Sequence, residues 1–171
     1  NTVSAAIYAS FQSIADYRGK LNVGNKNPGY TKELDTLNSL FPSNAKYLFV
    51  VRDGRDVALS LKEVAWGGNS IYEAAKNWQK MVANVSDFKK VIPSHCLLTI
   101  KYEDLLSHPE NTMRAIGEFV GVENAKEIAL AYEQQANNSK YKNNFDKWRS
   151  AMTEKEKMVF EAVAGSALYE H

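Results

Sequence analysis

A parallel β-sheet with helices on both faces is the architecture this sequence predicts. The stretch at 46–51, apolar from Tyr47 to Val51, and "CLLTIK" at 96–101 run without polar alternation, as strands buried on both sides do. Segments of helical period alternate with them, which is the signature of an α/β fold. At 171 residues, 44% hydrophobic and 24% charged, the chain suits one globular domain, residues 1–171. A domain of that size buries roughly 70% of its unfolded surface.

Each element has a local reason. Val3, Ile7, Phe11 and Ile14 form one stripe, predicting a helix that ends before Gly19. "KLNV" fits a short strand, followed by the loop "GNKNPGY". Thr31 is placed to cap a helix with Leu34, Leu37, Leu40 and Phe41 on its apolar face, ended by Pro42. After the strand at 46–51 comes a turn and a helix over about 56–65. Ser70 and Glu73 form a capping box that opens a long helix carrying Ile71, Ala75, Trp78, Val82, Val85 and Phe88. Pro93 precedes the second strand. Pro109 near the start and Gly121 past the end bracket another helix. A polar helix, the loop "NNSKYKNNFDKW" and a last helix opened by Thr153 and Glu156 complete the chain.

Composition excludes several functions. The formal net charge is +1, so no global field attracts nucleic acid or an acidic membrane, and any anion site must be local. Cys96 is the single cysteine; it reads as a small buried hydrophobe, and neither an intramolecular disulfide nor a cysteine metal cluster is expected. No apolar run approaches the ~20 residues that span a bilayer. "NTVSAAIYAS" lacks an initiator Met and a basic leader, so the chain reads as starting partway into a longer product.

The first strand ends in Arg52-Asp53-Gly54-Arg55-Asp56. Ligands of open α/β sheets sit outside the carboxyl ends of the strands, where Arg52 falls. Gly54 permits a tight turn. A helix start near Asp56 offers free N–H groups, and Ser60 follows one turn in. A guanidinium, a hydroxyl and a helix end suit a phosphate. On the residues alone, a solvated salt-bridge cluster is an equal reading.

"YLFVVRDGRDVALS" resembles the 3′-phosphate-binding segment of the sulfotransferases, in which Ser follows the first Arg by eight positions, the spacing of Arg52 and Ser60. "IKYEDLLSHPENTMRAIGEFVGV" resembles the family's Tyr-Glu-Asp-Leu segment and its following helix, and "GNKNPGY" the Gly-Asp-Lys-Thr-Pro segment of many bacterial members. The resemblance runs from about Asn25 to the last helix. It implies a P-loop nucleotide-kinase-like sulfotransferase fold that uses 3′-phosphoadenosine 5′-phosphosulfate (PAPS) as donor and needs no metal. It further implies that Arg52 and Ser60 grip the 3′-phosphate, that Tyr102 lies against the adenine, and that Lys26 stabilises charge on the leaving nucleotide. Ser139, Lys140 and Lys142 match a segment that closes over the 3′-phosphate in relatives. The histidine that serves as base in some relatives is absent after Lys26.

Other residues have quieter readings. Arg55 and Asp56 are expected to pair with each other or cap the helix, and Asp53 to orient Arg52. Glu103 and Asp104 read as structural, Trp78 and Trp148 as core. His95, His108 and His171 lack metal spacing, and His108 belongs to a helix start.

A loop such as Pro-Arg-Ser-Gly-Thr-Thr, which cradles the 5′-phosphosulfate in relatives, is not found. The chain therefore reads as the C-terminal two-thirds of a sulfotransferase domain, N-terminally incomplete, with an exposed sheet edge that invites homo-oligomers. The leading expectation is sulfuryl transfer from PAPS to a hydroxyl or amine of a small-molecule or carbohydrate acceptor. The pocket for that acceptor would be lined by "KEVAWGGNS" and residues 137–147. Two rivals stand beside it: a non-catalytic nucleotide-binding module that retains only the 3′-phosphate half-site, and a P-loop kinase relative, disfavoured by the missing Walker lysine. The lone cysteine favours the cytoplasm.

Overall fold

In the computed structural model the chain divides into two units, residues 1–45 and 46–171, and the residues described are 2–41, 45–65, 67–68, 70–137 and 144–170. In the first unit, helix α1 (Thr2–Tyr17) forms where predicted, but its predicted stripe is not a buried face: Val3 and Ile14 are exposed, and the buried residue is Ala15. The Ser4 hydroxyl donates to the Leu40 carbonyl of α2 (Leu34–Leu40). Residues 20–23 form no strand: Leu21 is almost wholly exposed, and among the described residues no neighbouring strand supplies a ladder. Thr31 does not cap α2. It lies inside a 3₁₀ turn (Pro28–Lys32), where its hydroxyl donates to the Pro28 carbonyl, and Glu33 precedes α2. The cap at this point is Asn27, whose Oδ1 accepts from the Gly29 N–H at 2.8 Å. Pro42 lies outside the described residues.

The second unit opens with β1 (Tyr47–Val51), α3 (Gly54–Lys62) and α4 (Ile71–Val91), which cross over to β2 (Leu97–Lys101). Then follow α5 (Tyr102–Ser107), α6 (Pro109–Val120), α7 (Ala125–Asn137), α8 (Trp148–Ala151) and α9 (Glu154–Glu170). The strands pair in parallel, Tyr47 with Leu97 through Val51 with Lys101, as a crossover connection requires. Ser70 caps α4 as the sequence predicts, accepting from the Glu73 N–H. Gly121 ends α6 at φ +83°, the left-handed conformation that glycine adopts freely.

The core sits between β1, α4 and α9. All six residues of the predicted α4 stripe are buried. Phe88 meets the Tyr47 ring edge-on at 5.0 Å, and Trp78 meets Phe160 of α9 at 6.0 Å. Helices flank both faces of the sheet, but each face is buried over one strand only. Phe49 and Val51 are buried, whereas Leu48 and Val50 are 41% and 44% exposed. Ile100, paired with Val50 and so on the same face, is buried, and α6 contacts β2. The expectation that β1 is buried on both sides is thus corrected: its apolar run is continuous, but its burial alternates.

Helix α3 begins at Gly54, two residues earlier than expected. Its glycine serves packing and not an unusual turn, because its φ is outside the positive region. A Cβ there would stand 2.5 Å from both the Phe160 and Trp78 rings. Gly54→Ala should therefore cost about 1–3 kcal/mol through overpacking, read as a lower urea midpoint. An unchanged midpoint would show that the rings yield freely.

Thr153 and Glu156 form the predicted reciprocal box: the Thr153 N–H donates to Glu156 Oε2 at 2.9 Å, and the Glu156 N–H donates to Thr153 Oγ1 at 3.3 Å. Lys62 Nζ reaches Glu156 Oε1 at 2.7 Å, joining the end of α3 to the start of α9. The Lys62 hydrogen bond, then the Thr153 N–H and hydroxyl, lower the Glu156 pKa from 4.5 to about 2. Between these values the unfolded chain binds the extra proton, so this contribution is present above pH 4.5 and fades as pH falls towards 2. Glu156→Gln should flatten the decline of melting temperature in that window, and an unchanged slope would contradict the role.

Candidate functional site

The strand register builds the site. Because Val51 pairs with Lys101, the next residues, Arg52 and Tyr102, emerge side by side at the carboxyl edge of the sheet. The Arg52 guanidinium lies over the Tyr102 ring, its carbon 4.9 Å from the ring centroid, a cation–π arrangement. One step further on, the Asp53 N–H donates to Glu103 Oε1 at 2.9 Å, which gives Glu103 the structural role expected of it. From the core, Trp78 Nε1 donates to the Arg52 carbonyl at 3.0 Å and fixes the exit of β1.

The charge pairs differ from those expected. Asp53 does not orient Arg52. It caps α3 by accepting from the Arg55 N–H at 2.8 Å and forks onto the Arg55 guanidinium at 2.7 and 3.0 Å. Arg55 also reaches Glu161 at 3.1 Å and stacks 3.4 Å above the Trp148 ring. Burial works to lower its pKa, but the bonds and charges of Asp53 and Glu161 outweigh this and raise it. Asp56 faces Arg52 instead, its Oδ2 3.8 Å from Arg52 Nη2. The four-residue spacing that brings these two together leaves Arg55, one position before Asp56, to fold back over the cap.

The Asp56 side chain is 0% exposed. Its Oδ1 accepts from the Trp148 N–H at 2.9 Å. Asp56 Oδ2 and Arg52 Nε are both buried without a hydrogen-bond partner among the described residues. Arg52 Nη2 donates to the Asn144 carbonyl at 2.8 Å, and the Asn144 side-chain amide donates to Tyr102 Oη at 3.2 Å. The start of α3 is not a bare anion site, because its own Asp53 carboxylate sits there.

Ser60 is exposed, nearly two turns into α3 and not one, and four residues past Asp56 on the same side of the helix. Tyr102 is the first residue of α5. Lys26 is exposed in the first unit, between Asn25, which donates to Tyr30 Oη, and Asn27. Ser139, Lys140 and Lys142 lie outside the described residues. His108 precedes α6 and bonds Ser107 Oγ through Nδ1. Among the described residues no cluster of His, Cys, Asp and Glu could hold a metal ion, and no helix is long and apolar enough to cross a membrane. Cys96 is buried, as expected.

The arrangement is a largely buried guanidinium on an aromatic face, backed by a buried carboxylate, suited to a planar ring that bears a phosphate. Sequence reasoning missed Asn144, for which a polar loop position carries no signal. It also missed the partnership of Asp56 with Arg52, although the i, i+4 spacing was there to find it.

Comparison with known proteins identifies the family and the fold. The model of the sulfotransferase family matches residues 1–127. The chain is 34% identical over 103 residues to protein-tyrosine sulfotransferase A of Caenorhabditis elegans, a match covering 57% of this chain and 27% of that protein. It is 36% identical over 104 residues to protein-tyrosine sulfotransferase 2 of Gallus gallus, covering 57% and 28%. The matched stretch thus spans little more than a quarter of these relatives. In fold, the chain superposes on the sulfotransferase domain of the Synechococcus PCC 7002 olefin synthase with a TM-score of 0.72 at 24% identity, over 96% of this chain and 64% of that domain. On a family match that covers most of its length, the chain belongs to the sulfotransferase family.

Proposed function

We propose that this chain forms the nucleotide-gripping part of a sulfotransferase that moves a sulfuryl group from PAPS to a hydroxyl or amine. The observation that carries the reading is Arg52, laid over Tyr102 at the carboxyl edge of two parallel strands, its Nε buried without a hydrogen-bond partner among the described residues. Arg52 and Ser60 hold the 3′-phosphate, and Tyr102 lies beside the adenine. Ser139, Lys140 and Lys142 would add donors and charge from the following segment.

PAPS supplies the activated sulfuryl group when bound, and no metal is part of the reading. Lys26 is assigned to the charge that builds on the departing phosphate, where an ammonium is most effective in the transition state. Arg55 takes no part in binding, since Asp53 and Glu161 occupy its donors and Trp148 its face. The acceptor is a small molecule or carbohydrate; the protein tyrosine that the relatives' names specify would likewise react through a hydroxyl. A cytoplasmic location goes with the unpaired, buried Cys96.

Calorimetric titration of the chain with 3′-phosphoadenosine 5′-phosphate (PAP) tests the assignment. Arg52→Ala should weaken binding by about 2–5 kcal/mol, because it removes one partner of a partly buried charge pair. Binding unchanged within about twofold would remove Arg52 from the site. Preference for ATP with magnesium would favour kinase chemistry. PAP binding with no transfer from PAPS to any acceptor would leave a nucleotide-binding module.

A further inference from the structure

We infer that Asn144 is a positioning residue that locks Arg52 and Tyr102 into one nucleotide-reading unit. This rests on the proposed role of those two residues. A single residue reaches both: its carbonyl accepts from Arg52 Nη2 at 2.8 Å, and its side-chain amide donates to Tyr102 Oη at 3.2 Å. The same Nη2 faces Asp56 Oδ2 at 3.8 Å. The guanidinium is therefore held on two sides while its plane lies over the Tyr102 ring.

An arginine side chain has many rotamers, and fixing them before a ligand arrives removes an ordering cost from binding. The Asn144 carbonyl takes one donor of Arg52 and, with Asp56, fixes the direction in which the guanidinium faces. Its amide fixes the Tyr102 hydroxyl and hence the tilt of the ring on which the guanidinium rests. Four residues later, the Trp148 N–H is bound by the buried Asp56 carboxylate. Both ends of the 144–148 segment are thus anchored on Arg52 and its acidic partner. Asn144 touches residues that hold the nucleotide and not the reacting atoms, so its effect should appear in nucleotide affinity, dependent on Tyr102.

A double-mutant cycle on the full chain decides the matter, with PAP and 5′-AMP titrated against wild type, Asn144→Ala, Tyr102→Phe and the double variant. Both single changes delete the same hydrogen bond, and each should weaken PAP binding about fivefold. The double variant should lose no more than either single one. Asn144→Asp, which sets a carboxylate beside Arg52, should weaken PAP more than 5′-AMP, because only PAP brings a phosphate to that guanidinium. Additive losses, or an Asn144→Ala chain that binds PAP as wild type does, would overturn the role while leaving the nucleotide reading intact. A folded wild-type chain that fails to bind PAP would remove the nucleotide reading itself and this role with it.

Discussion

The pairing of two parallel strands in one fixed register is the constraint on which the site depends. Val51 opposite Lys101 sets Arg52 against Tyr102, and the next step sets the Asp53 N–H against Glu103, a residue 50 positions away in the chain. A slip by one residue would turn every side chain of β1 to the other face. Arg52 would leave the Tyr102 ring, and Phe49 and Val51 would leave the core. The register is held by burial: Phe49 and Val51 face the α4 side, and Ile100 faces the α6 side. The packing that specifies the fold thereby specifies the site.

Helix α4 carries that constraint outward. Its buried stripe meets β1 through Phe88 and Tyr47 and meets α9 through Trp78 and Phe160. Gln79 adds a side-chain donor to the Val163 carbonyl of α9 at 2.8 Å. Trp78 has two tasks, because its ring fills the core against Gly54 while its Nε1 holds the Arg52 carbonyl. The guanidinium thus leaves a backbone that is clamped from below, and only Gly54 leaves room for the clamp.

Electrostatics then divides the labour between two arginines that look alike in the sequence. Arg55 is taken up by Asp53, Glu161 and the face of Trp148, and so it secures the start of α3. Arg52 keeps one donor on a carbonyl and one buried carboxylate at 3.8 Å. A buried carboxylate is costly unless charge and hydrogen bonds compensate it. Asp56 receives the Trp148 N–H and the nearness of Arg52, and in return holds the guanidinium at the sheet edge.

The sequence by itself determined the two strands, the long amphipathic α4 with its Ser70 cap, the Pro109 and Gly121 bounds of α6 and the Thr153–Glu156 box. Each rests on local periodicity or on residues within a turn of one another. It also determined that Arg52 stands at a strand's carboxyl end, since the change from apolar run to charge is local too. The tertiary structure alone decided which carboxylate serves which arginine, that Gly54 answers to two rings from α4 and α9, that "KLNV" finds no partner strand, and that β1 is covered on one face. It alone brought Asn144 to both Arg52 and Tyr102. These outcomes depend on contacts between residues tens of positions apart, and only the register and the packing of the helices fix which distant groups meet.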